Sequence, residues 1–251
     1  MRDLSRRAAL DEEAARRKLS VRIEPLDVTD PAGAKAVVQS LIDRHGGIYG
    51  LVNNAGTQVR GYFEDLTDAE IRSVFDVNLF GTMTMVRAVL PAMRASRQGR
   101  IVIVSSVGGI LGSLALSAYC ASKHALEGFG EALSLEVCAL GIHVTLVEPA
   151  IVQTEIWGAN RRVAKGALDP ASPNFKWFNA AERLTDRVVA SAPTTANDVA
   201  RTVHTALSAR RPRLRYVVGR RASLLVTLRR YLPESLFERL YFGELVRRVT
   251  K

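Results

Sequence analysis

Short runs rich in Val and Ile alternate along this chain with longer stretches in which apolar residues return every three or four positions. The first spacing suits buried strands and the second suits helices packed on them. Ser20 to Leu26 alternates Val21 and Ile23 with Arg22 and Glu24, and Pro25 removes a backbone donor, which predicts an edge strand. Pro31 to His45 reads as a surface helix with Val37, Val38, Leu41 and Ile42 inward, ended by Gly46-Gly47. A strand follows at Leu51-Val52. Thr67-Asp68-Ala69-Glu70 is a capping-box pattern that opens a long helix, with Ile71, Phe75, Asn78, Thr82, Met85 and Val89 on one stripe. Arg100 to Val104 is the next strand. A small-residue loop, Val107 to Ser117, leads into a helix patterned by Leu126, Phe129, Leu133, Val137 and Leu140. Ile142 to Val147 is another strand, residues 155–192 are irregular, Thr194 to Ser208 is helical, and Leu214 to Val218 is the last strand. Strands and helices in turn predict an α/β fold with an open, mostly parallel sheet. Ligands bind such sheets at the carboxyl ends of the strands.

Composition changes this picture little. The 251 residues, 47% hydrophobic and 24% charged, suit one globular domain. Cys120 and Cys138 are eighteen positions apart on one expected helix, about 27 Å at ~1.5 Å per residue, so they cannot bridge and read as small buried hydrophobes. No group of Cys, His and acidic residues has metal-ligand spacing. No apolar run has spanning length and no signal peptide is evident, which predicts a cytoplasmic protein.

Candidate chemistry gathers between the third strand and its helix. Ser105-Ser106 ends the strand, and Tyr119 and Lys123 lie one helical turn apart on one face. A free phenol, with a pKa near ~10, is a poor base at neutral pH, and lowering it to about 7 takes about 4 kcal/mol. An ammonium ~5 Å away at an effective dielectric near ~20 supplies roughly 3 kcal/mol of that in favour of the phenolate. Lys123 could therefore make Tyr119 a general acid or base on a carbinol or carbonyl oxygen, with a serine hydroxyl holding that oxygen.

Leu51-Val52-Asn53-Asn54-Ala55-Gly56, Asp76-Val77-Asn78, Ser106 and Tyr119-Cys120-Ala121-Ser122-Lys123 together resemble the signatures of the short-chain dehydrogenase/reductase family, over about residues 1–220. The resemblance implies a Rossmann-like doubly wound sheet and NAD(P)(H)-dependent oxidoreduction. It implies a catalytic set of Asn78, Ser106, Tyr119 and Lys123, with Asn78 holding a water that links to the lysine. Cofactor contacts are implied for Asp27, Asn53, Ala55, Gly56, Tyr119, Lys123, the backbone of Val152, and Thr154. Arg2 would suit a 2′-phosphate, which tilts the expectation from NAD(H) toward NADP(H). Ala150 stands where the family usually has glycine. Residues 155–192 would form a substrate lid, whose Trp157, Phe175, Trp177 and Phe178 suggest a bulky apolar alcohol or carbonyl substrate such as a steroid, retinoid or acyl chain. The family carries a strand, a T-G-x-x-x-G-x-G turn, a helix and a second strand ahead of the region of Arg2. No such turn occurs in this sequence, so that N-terminal βαβ unit is expected to be missing. Homodimers or homotetramers through the Thr67 and Tyr119 helices are implied as well.

Residues 210–251 carry eleven Arg and one Lys against three Glu, nearly all of the chain's formal +10. Leucines interleave at helical steps, so residues 221–251 predict a basic amphipathic helical tail packed on the domain. It could close a substrate pocket or touch an anionic membrane surface. No recognition motif accompanies the charge, so nucleic acid is not expected as a partner. Two classes of function follow: an alcohol/carbonyl oxidoreductase, or a non-catalytic relative with impaired cofactor binding that serves as a binding or structural protein.

Overall fold

The computed structural model describes residues 2–250. Met1 and Lys251, the outer ends of the two expected segments, lie outside the described residues. The order is α1 (Ala8–Arg16), α2 (Pro31–His45), β1 (Gly50–Asn53), α3 (Asp68–Phe75), α4 (Gly81–Ser96), β2 (Gly99–Val104), α5 (Ser117–Val137), β3 (Ile142–Pro149), α6 (Phe175–Ala190), α7 (Ala196–Ser208), β4 (Arg215–Val218), α8 (Arg220–Tyr231) and α9 (Glu234–Thr250).

The four strands form one parallel sheet in the order β1-β2-β3-β4. Alternation along β2 covers both faces. Ile101 and Ile103 meet Val38 of α2, Val89 of α4 and Leu126 of α5 on one side. Val102 meets Ala206 of α7 and Val218 on the other. A strand buried on both faces reads as a continuous apolar run, which is why Arg100–Val104 was legible.

Local signals placed the helices. Asp30 caps α2 by accepting from the Ala32 amide, with Pro31 in the first turn and left-handed Gly46 at the end. The Thr67–Glu70 capping box forms in full. The helix it opens changes pitch: Asp76–Phe80 is a π-helical turn between α3 and α4, and Asn78 lies inside it. Such single turns often occur at functional sites.

Four expectations fail. Residues 20–26 form no strand, because no described strand lies alongside to complete a ladder; Leu26 and Val28 pack onto the main core instead. The irregular stretch before Thr194 contains α6, a regular 16-residue helix. The basic tail is two helices, since Pro233 cannot continue α8. Cys138 is exposed at the end of α5, while Cys120 is buried.

Candidate active site

The carboxyl ends of β1, β2 and β3 open into a cavity of about 1000 Å³. Ser105 and Ser106 follow β2 directly, and Tyr119 and Lys123 stand on the first two turns of α5, so the strand-to-helix connection folds the two pairs together. The Ser106 hydroxyl lies beside the Tyr119 phenol, close enough to lower its pKa. It also accepts from the Gly108 amide at 3.0 Å, which fixes its rotamer. Gly108 packs closely there: a Cβ would lie 3.2 Å from the tyrosine ring and 3.3 Å from the serine oxygen.

Lys123 is 4% exposed. Its Nζ donates to the Val104 carbonyl at 2.9 Å and sits 5.7 Å from the Tyr119 ring centroid. Burial pulls the ammonium down to about 8, against the charge of Glu127, which holds it up. The expectation that the lysine makes the phenol acidic is corrected here. Burial drives the Tyr119 pKa above the ordinary phenol value, opposed by the Ser106 hydrogen bond. Desolvation dominates because the phenolate, unlike the phenol, must be stabilised without water.

Asn78 is fully buried. Its Oδ1 accepts from the Thr57 amide at 2.8 Å, and its Nδ2 donates to the Thr57 carbonyl and to Ser122 Oγ, each at 2.9 Å. Ser122 Oγ donates in turn to the Tyr119 carbonyl at 2.7 Å. Asn78 therefore clamps the loop after β1 onto the first turn of α5. It is also near the lysine: a Cβ on Gly56 would lie 3.5 Å from Asn78 Oδ1 and 3.9 Å from Lys123 Nζ.

The expected cofactor residues divide. Gly56, Val152 and Thr154 line the cavity with Tyr119 and Lys123, whereas Asn53, Ala55, Asp27 and Arg2 do not. Asn53 is buried beneath the strand end, and its Nδ2 has no protein partner. Asp27 accepts from the Thr29 amide and hydroxyl and feels the charge of Arg2. The nicotinamide and its ribose fit what is present. The space a Gly56 Cβ would fill is open beside Lys123, Lys123 has donors beyond its bond to Val104, and the buried Ser105 hydroxyl lines the cavity without a partner.

The cavity wall beyond these groups is apolar, with Leu111, Leu114, Ile156, Leu184, Val188 and Leu225. Of the four lid aromatics only Trp157 lines it; Phe178 belongs to the core beneath α6. Tyr241 and Leu245 of α9 complete the wall. Several side chains escaped the sequence reading. Arg60, 1% exposed, binds Glu182 of α6, donates to Thr185 Oγ1 at 2.9 Å and stacks on Trp157. Nothing in its local sequence signals this. Glu127 was within reach, because Tyr119, Lys123 and Glu127 continue one four-residue step along α5. Among the described residues no group of acids, Cys and His could hold a metal.

Residues 2–164 match the family model described as short chain dehydrogenase. Human "Retinol dehydrogenase 8" is 37% identical over 238 residues, covering 91% of this chain and 74% of that protein. Human "17-beta-hydroxysteroid dehydrogenase type 1" is 34% identical over 208 residues, 81% of this chain and 62% of that protein. A short-chain dehydrogenase/reductase of Burkholderia phymatum, solved in complex with NAD, superposes with a TM-score of 0.78 at 27% identity, covering 91% and 82% of the two chains. Family model, relatives and sheet agree: this chain belongs to the short-chain dehydrogenase/reductase family and is an oxidoreductase.

Proposed function

We propose that the chain interconverts an alcohol and a ketone or aldehyde on a bulky apolar substrate, steroid-, retinoid- or acyl-like, with Tyr119 as the proton donor and acceptor. The observation that carries this is the meeting of Ser106, Tyr119 and Lys123 at the polar end of an otherwise apolar cavity. Ser106 would hold the reacting oxygen, and Tyr119 would give it a proton or take one. Burial leaves the phenol protonated, the form that serves carbonyl reduction. Lys123 would hold the ribose hydroxyls and stabilise the phenolate as it forms. Val152 and Thr154 would bind the carboxamide, and Gly56 would leave room for the ribose. Asn78 would steady this arrangement through Thr57 and Ser122 and hold the water that links to Lys123. A bound nicotinamide would exchange a hydride with the carbon bearing that oxygen.

NADP(H) is the favoured form, on the strength of Arg2, an exposed guanidinium near Asp27. The relatives' names point to retinoid and steroid carbonyls as first substrates. The test is reduction of both by the purified protein with NADPH and with NADH. Turnover of either carbonyl that Tyr119→Phe abolishes supports the reading. No turnover, with no cofactor binding at millimolar concentration, overturns it in favour of a non-catalytic binding role.

Two assembly properties belong to the same reading. Phe80 and Leu135, exposed on the α4 and α5 side, suit a homodimer or homotetramer, which sedimentation would detect. The tail exposes Leu224, Tyr231, Leu240 and Val246 among its arginines, a surface suited to anionic lipid. No helix among the described residues is long and apolar enough to cross a membrane. Salt-sensitive binding to phosphatidylserine vesicles, lost in Leu224→Ser/Leu240→Ser, is the expected result. Binding unchanged in that variant would refute the contact.

A further inference from the structure

Behind the site, three carboxyl groups meet one guanidinium. Glu127 and Glu131 project from successive turns of α5, and Glu148 projects from β3, the strand under that helix. Arg215 on β4 reaches all three: its Nε lies 3.0 Å from Glu127 Oε2 and 3.6 Å from Glu148 Oε1, and its Nη2 lies 2.5 Å from Glu131 Oε2. Glu131 is exposed and retains its water, but Glu127 is 8% exposed and Glu148 is 1% exposed.

One arginine cannot balance two buried carboxylates while also serving a third. The hydrogen bonding makes the same point. Glu127 Oε1 and Glu148 Oε1 are both buried, and neither has a donor. A buried acceptor without a donor costs about 1–3 kcal/mol, and more when charged. The two side chains nevertheless contact each other within hydrogen-bond reach. A single proton between them satisfies both groups and lowers the buried charge to one that Arg215 can match.

We propose that Glu127 and Glu148 share one proton across the seam between α5 and β3, and that the pair is a positioning device for Lys123, setting through Glu127 how strongly the lysine keeps its charge. The proposal rests on the reading of Lys123 as part of the active site. Glu127 is one helical turn beyond Lys123, and its charge is what opposes the burial of the ammonium. Glu148 is pushed up to about 8, first by burial and then by the charge of Glu127, so it holds the proton at neutral pH. The groups that face this cluster are Tyr119, Lys123 and Glu131 on α5, Arg215 on β4, and the neutral Ser105 hydroxyl packed against Gly109.

The two carboxyls therefore act on Lys123 unequally. Glu127→Gln removes the negative charge, so Lys123 should lose its proton at a pH lower by about one unit. Glu148→Gln puts a neutral amide beside Glu127 in place of the protonated acid, so Lys123 should titrate as in the unmutated protein. The titration can be followed in free protein by NMR of 13C-labelled lysine, with Lys123 assigned by Lys123→Met. Difference infrared spectra of the unmutated protein at pH 7 should show a protonated carboxyl band that Glu148→Gln removes. These readouts need no turnover, so an inactive protein would defeat the proposed reaction and leave the pair standing. Equal shifts in both variants, no shift in either, or no carboxyl band would overturn the pair. Should Glu127→Gln not fold, the infrared band and its loss in Glu148→Gln decide.

Discussion

The Lys123 ammonium lies 5.7 Å from the centroid of the Tyr119 ring while donating to the Val104 carbonyl at the end of β2. The lysine is thus fixed to the sheet and not only to its own helix, and the tyrosine stands between it and Ser106. Tyr119→Phe removes the ionisable hydroxyl beside Ser106 and keeps the ring. Turnover should fall about 10²- to 10⁴-fold. Cofactor affinity by fluorescence titration should change little, and a variant that keeps its rate would remove Tyr119 from the chemistry.

Lys123 also makes stability depend on pH. Its folded pKa, about 8, is below the free value of 10.5. Between those values the unfolded chain binds more protons, so this group's contribution rises with pH. Its penalty is complete below about pH 8 and gone above about pH 10.5, and amounts to about 3 kcal/mol. Lys123→Met should therefore be more stable than the parent in urea at pH 7, with the advantage shrinking as pH rises toward 10. An advantage independent of pH would show that the lysine is not held against burial.

Arg60 ties the loop after β1 to α6. Its side chain is 1% exposed, and it binds Glu182 and Thr185 there. Arg60→Met should cost about 3 kcal/mol, because it leaves Glu182 half-paired in a half-buried position. Arg161→Ala, which removes the more exposed partner of Glu182 and Asp186, should cost under about 1 kcal/mol. Thermal melts of the two variants check the order, and equal losses would contradict it.

Gly141 and Gly46 both have left-handed backbones, with φ of 74° and 77°. A Cβ at Gly46 meets nothing within 4 Å, whereas at Gly141 it runs into the Arg97 carbonyl. Gly46→Ala should cost about 1 kcal/mol and Gly141→Ala about 3 kcal/mol. Urea midpoints would reveal the difference, and a mild Gly141→Ala would mean that the Arg97 turn gives way.

Strand and helix periods, the Asp30 and Thr67 caps, and the spacing of Ser106, Tyr119 and Lys123 were legible because each is a local signal, complete within one element or one connection. That determined the α/β class, the sheet's apolar strands and the three residues that meet at the cavity. What the chain order could not express was the balance of forces in the assembled site. The Tyr119 phenol is driven up and not down because burial is a property of everything packed around it. Residues 20–26 are no strand because a ladder needs a neighbour. Arg60 finds Glu182 from 122 positions away, and Glu127 meets Glu148 only because α5 lies over β3. Tertiary structure decided these points, since desolvation, ladder pairing and long-range charge exist only once distant segments share one interior.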